Sequence, residues 1–147
     1  MSEIDVPGQV TLTTESIHNP DEPRHFMAIK PVPRRVRISF DGSVLAESDD
    51  ALRVIEVGRR FYDPVLYLPR TDITANLSPA ERRSFCPLKG HASYFDLRDD
   101  QGRTLVAEIA WSYRETFDFA AVLKDRIAFD ASRVVIEERG ESIRALV

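Results

Sequence analysis

The segment Cys86-Pro87-Leu88-Lys89-Gly90-His91 places a thiol, an ammonium and an imidazole within six residues. Pro87 fixes the backbone directly after the thiol, and Gly90 admits a positive φ or the close approach of a ligand. A bend of this kind holds Cys86 and Lys89 on one side. A cation beside a thiol lowers its pKa and raises the thiolate fraction, so Lys89 or a protonated His91 would ready Cys86 for nucleophilic catalysis or for capture of an electrophile. The same groups would also bind an anion without any reaction. A structural role competes with both: a lone cysteine is often buried as a small hydrophobe, and Pro-Leu-Lys-Gly is ordinary turn composition. Lysine is scarce in this chain, with three (Lys30, Lys89, Lys124) against 17 arginines. Only the lysine ammonium shifts its pKa readily on desolvation, which favours a chemical role at position 89. His91 stands at a loop-to-strand boundary and reads as an exposed bystander, and His18 and His25 carry no assigned role.

Composition narrows the alternatives. With 147 residues, 43% of them hydrophobic and 30% charged, the chain fits one globular domain. The net charge of −4 and the scattering of Arg34-Arg35, Arg59-Arg60 and Arg82-Arg83 among acids argue against a nucleic-acid partner, which calls for a basic stripe. One cysteine excludes an intramolecular disulfide and a zinc site built on two or more cysteines. The histidines lack ligand spacing, so no metal and no cofactor is expected. Met1 to Val6 lacks the apolar core of a signal peptide, and no apolar run reaches the roughly 20 residues of a membrane span. A cytoplasmic protein with no membrane contact is the expectation, a free thiol being at home in a reducing compartment.

The elements that must position the loop read as short strands. Residues 1–33, with five prolines and no clear periodicity, read as an extended arm. It is laid over the domain or reaches a second subunit to make a homodimer. The domain proper runs over 34–137, and 138–147 form a polar tail. Val36 to Phe40 alternates, Asp41-Gly42 follows, and Ser43 to Ala46 completes a hairpin. Leu52–Val57 and Val65–Leu68 are further strands. Residues 70–83 are polar, with a helical turn predicted at Ser78-Pro79. Ala92–Arg98 is a strand. In Thr104–Tyr113 the odd positions Leu105, Ala107, Ile109, Trp111 and Tyr113 form one apolar face. A short helix is predicted over 117–124, and strands over 127–129 and 134–136. About eight strands with one or two short helices predict a mainly β sandwich or barrel-like architecture of antiparallel sheets.

Ordered blocks of the sequence resemble the bacterial domain-of-unknown-function family 427. They are Arg35-Val36-Arg37-Ile38 with Asp41-Gly42, Ala51 to Glu56, Val65 to Arg70, Cys86 to Gly90 with Ala92-Ser93-Tyr94, Ala110 to Tyr113, and Ile127-Ala128-Phe129. The resemblance covers residues 34 to about 137 and implies a β-tent-like fold, two antiparallel sheets meeting at an angle over a pocket. By the same resemblance the pocket is lined by Glu56, Tyr67, Arg70, Cys86, Lys89, Tyr94, Trp111 and Tyr113. Aromatic rings with a few convergent polar groups are what small-molecule sites look like, although Tyr67, Trp111 and Tyr113 would serve equally in a core.

The functional expectation is therefore an unidentified small molecule bound around the loop, with Cys86 and Lys89 as candidate catalytic residues. The family is also labelled nucleotidyltransferase-like. That activity gathers carboxylates around magnesium, and no phosphate-cradling glycine loop is present. A non-enzymatic interaction module, docking through the arm and the arginine pairs, is the third reading.

Overall fold

The computed structural model describes residues 13–140. They form eleven strands: β1 (Ile17–Asn19), β2 (Glu22–Pro31), β3 (Arg35–Phe40), β4 (Ser43–Ser48), β5 (Leu52–Val57), β6 (Val65–Tyr67), β7 (Leu77–Cys86), β8 (Gly90–Arg98), β9 (Thr104–Thr116), β10 (Ile127–Phe129) and β11 (Val135–Arg139). Two short 3-10 segments, Arg70–Asp72 and Asp118–Leu123, complete them. The expected mainly β architecture is what the chain forms, divided into three antiparallel sheets. Their orders are β1-β2-β5-β6, β10-β9-β8-β7 and β11-β3-β4.

The first and third sheets share a corner. The chain passes from β2 into β3 and from β4 into β5, and the Val32 N–H donates to the Ala51 carbonyl at 2.9 Å where the two passages cross. The second sheet is tied to the first where Leu68 and Ile127 exchange both backbone hydrogen bonds, at 2.9 and 2.8 Å. Two apolar cores result. One, with Val36, Ile38, Phe95, Leu97 and Ile109, fills the space under the third sheet. The other, with Met27, Val54, Tyr67, Leu88 and Leu123, lies between the first and second sheets.

Several expectations change. Residues 17–31, read as part of an arm, are β1 and β2, and β2 is paired on both sides, by β1 and β5. Prolines sit at its ends, Pro23 near the start and Pro31 as the last residue, where the missing N–H costs least. Residues 1–12 of the proposed arm, and with them much of the homodimer expectation, lie outside the described residues, as do 141–147 of the tail. Glu138 and Arg139, assigned to that tail, pair with Val36 and Arg35. The helical turn predicted at Ser78-Pro79 is absent: Pro79 lies in the edge strand β7 opposite Phe95, and a register shift between Pro79 and Arg83 absorbs the extra residues. The apolar face of β9 is interrupted where Glu108 takes φ 53°, so Leu105, 52% exposed, lies beyond the core. Among the described residues no helix is long and apolar enough to cross a membrane.

Candidate functional site

The reactive segment is the turn between β7 and β8. The Lys89 N–H donates to the Cys86 carbonyl at 3.2 Å, closing a four-residue turn with Pro87 second in it, the position whose φ proline pre-sets. Leu88, 1% exposed, plugs the second core and anchors the turn. Gly90 takes φ 128°, where a Cβ would stand 2.1 Å from the Glu115 carbonyl oxygen. The β1–β2 turn also braces the loop, with the Asn19 amide donating to the Pro87 carbonyl at 3.0 Å.

Lys89 is only 5% exposed. Its ammonium ion-pairs with Glu56 Oε1 and stands 3.9 Å from Cys86 Sγ. The Leu88 N–H also points at that sulfur, at 3.4 Å. Glu56 arrives from β5, where Leu52, Val54 and Glu56 alternate onto the inward face. Its second oxygen meets His25 Nε2 at 2.6 Å. Burial alone would raise the Glu56 pKa, but Lys89 and then His25 outweigh it and hold the carboxyl below the ordinary glutamate value.

A depressed carboxylate pKa has a definite pH signature. Glu56 adds stability above the unfolded-state value of about 4.3, and that contribution is lost as pH falls through the lower native value. Urea unfolding of wild type and Glu56→Gln should therefore differ most near neutral pH and converge in acid. A gap that stays constant down to about pH 3 would show that the carboxylate charge contributes nothing.

Above this triad opens a cleft of about 610 Å³ between the first and second sheets. Tyr67 of β6 forms one wall, and Tyr94, Trp111 and Tyr113 of β8 and β9 form the other. The Trp111 indole N–H donates to the Tyr67 hydroxyl at 3.2 Å. Tyr94 shares a hydrogen bond of 2.9 Å with Ser84, and Arg82 lies 4.3 Å over its ring. Burial pushes the Tyr67 and Tyr113 phenols above the ordinary tyrosine range, so both stay protonated.

The cleft thus brings together seven of the eight residues singled out: Glu56, Tyr67, Cys86, Lys89, Tyr94, Trp111 and Tyr113. Arg70 is the exception. It is exposed, 5.3 Å from the Phe95 ring, and borders a separate small hollow with Ile73 and Leu77. The 3-10 turn after Pro69 carries it away from the β6 face that holds Tyr67. His25, dismissed with the arm, is a cleft residue. The signal for it was the alternation of His25, Met27 and Ile29, which share the inward face of β2. Arg82, Glu108 and Tyr62 also border the cleft unforeseen. The His91 ring lies 4.9 Å from that of the exposed Phe85, tilted by 51°. Among the described residues no group of three or more His, Cys, Asp or Glu side chains is placed to hold a metal ion.

Fold and cleft together define a small mainly β domain whose antiparallel sheets enclose an aromatic cleft over the nearly buried Lys89–Glu56 ion pair and its neighbour His25. The chain belongs to the DUF427 family, described as a domain of unknown function under the label NTP_transf_9, whose profile matches residues 28–140. That span includes every cleft residue foreseen in the sequence and leaves His25 just outside. No curated protein matches the chain.

Proposed function

We propose that this cleft binds a small organic molecule, its planar part against the aromatic walls and its polar or reactive end over Cys86 and Lys89. The observation that carries the reading is the nearly buried Lys89–Glu56–His25 set at the foot of an open aromatic cleft. Desolvated ion pairs are poor stabilisers compared with apolar packing, and their concentration at a concave, aromatic surface is the mark of a site. Lys89, paired with Glu56, serves as a fixed cation beside the sulfur rather than as a nucleophile. Cys86 supplies the nucleophile if a reaction occurs. Nucleotidyl transfer fits less well: Glu56 is engaged by Lys89 and His25, Glu108 by Arg82, and Asp130 by Arg133, so these carboxylates are already committed.

Thermal-shift screening of small metabolites against wild type and Cys86→Ser, run in parallel, tests the reading. The expected result is a stabilising compound that also slows alkylation of Cys86 by iodoacetamide, followed by intact mass; Cys86 is the sole cysteine, so one mass step reports the site. Stabilising compounds that all leave the alkylation rate unchanged would overturn it, as would a broad screen with no stabilising compound.

A further inference from the structure

The polar groups of the cleft are almost all spoken for. Lys89 is matched by Glu56, Arg82 by Glu108 at 3.4 Å, and Arg133 by Asp130 at 3.0 Å. The Trp111 indole is given to Tyr67, and the Tyr94 hydroxyl to Ser84. Asp63, the remaining acid, is an exposed rim residue in water. Tyr113 is different. It is 8% exposed, lines the cleft, and among the described residues its hydroxyl has no hydrogen-bond partner. The Tyr67 hydroxyl, 2% exposed, accepts from Trp111, and among the described residues its own proton has no acceptor. Among the described residues neither hydroxyl proton has a protein acceptor, and both donors face one open cleft where a ligand acceptor can take the place of water.

Resting on the reading of the cleft as a small-molecule site, we infer that it takes an uncharged, planar, carbonyl-bearing compound whose oxygen accepts a hydrogen bond from Tyr113, with Tyr67 as a second donor. The charges decide the class. The nearly buried Lys89 is matched by Glu56, which His25 shares, and the exposed Arg82 and Arg133 are matched by Glu108 and Asp130, so a charged ligand would have to displace one of these partners to gain a counter-charge. The hydroxyls decide the polarity of the recognised atom. Both phenols stay protonated because burial disfavours the phenolate, and Cys86 and Glu56 nearby add to that effect. They are donors seeking an acceptor, and a carbonyl oxygen on a flat framework reaches them while its faces lie against the rings.

Three isosteric probes separate the possibilities: benzamide is neutral, benzoate anionic and benzamidine cationic. Trp111, the only tryptophan in the chain, lies in the cleft wall, and its indole N–H resonance reports occupancy. Titrated into the full chain near neutral pH, benzamide should bind at least about tenfold more tightly than either charged isostere. Tyr113→Phe, which removes only an oxygen, should weaken benzamide about three- to tenfold, with the unfolding midpoint showing that the variant is folded. Tighter binding of benzoate or benzamidine would overturn the neutral class while leaving the cleft a ligand site. Equal benzamide affinity in wild type and Tyr113→Phe would remove Tyr113 as the donor. No response of the Trp111 resonance to any of the three probes would overturn the inference, and only the metabolite screen then decides the reading beneath it.

Discussion

Replacing Lys89 by methionine should lower the free energy of unfolding by about 3–5 kcal/mol near neutral pH, the range for breaking one partner out of a buried ion pair. The side chains of Lys89 and Glu56 are 6% and 15% exposed, so water cannot take over for the missing ammonium. Glu56 would keep only His25, and the burial that Lys89 now outweighs would push its carboxyl toward protonation. Urea denaturation measures the loss. The double variant Lys89→Met/Glu56→Gln should recover about 1 kcal/mol or more relative to Lys89→Met, because the stranded carboxylate is then gone. Lys89→Arg should not rescue, since a planar guanidinium does not fill the place of a compact ammonium. A cost below about 1 kcal/mol would mean that the pair behaves as a surface salt bridge.

The second large effect is expected from Gly90→Ala. At φ 128° any side chain is strained, and here the added carbon would stand 2.1 Å from the Glu115 carbonyl oxygen and 2.9 Å from Thr116 Cα. Both obstacles are backbone of the neighbouring strand, which cannot swing aside as a flexible side chain would. Backbone strain and overpacking together set the cost at about 3 kcal/mol or more. Gly42 and Gly102 also have positive φ, 81° at each, but nothing stands within 4 Å of a Cβ there. Alanine at either should therefore cost only about 1–2 kcal/mol. If Gly90→Ala proves no worse than Gly42→Ala in urea unfolding, the β7–β8 turn does not sit against β9 as described. The relieved clash would have to move the turn, so Gly90→Ala should also change the rate at which Cys86 is alkylated.

Much of the architecture was readable from local pattern. The hairpin around Asp41-Gly42, strands β5, β6, β8 and β10, and the short helical segment near 118–123 follow from alternation and turn residues acting over a few positions. Where the reading of local structure failed, proline was the usual cause. Pro23, Pro31 and Pro79 argued against strand, yet each sits at an edge, an end or a bulge, where the missing N–H is not needed. No local rule distinguishes those places from a loop, because they are defined by which strand lies alongside.

The amino-acid sequence by itself determined the mainly β class and the turn that joins Cys86 to Lys89, and seven of the eight residues that the family resemblance names lie along one cleft. Only the tertiary structure decided what those residues do to one another. Glu56, His25 and Lys89 are separated by 31 and 33 positions, and their meeting depends on β2 pairing with β5 and on the β7–β8 turn reaching across from another sheet. Arg70 lies away from the cleft for a local reason, the 3-10 turn that follows Pro69. Strand alternation specifies which face a side chain takes. Which other face it will meet is set by sheet packing, a property of the whole chain.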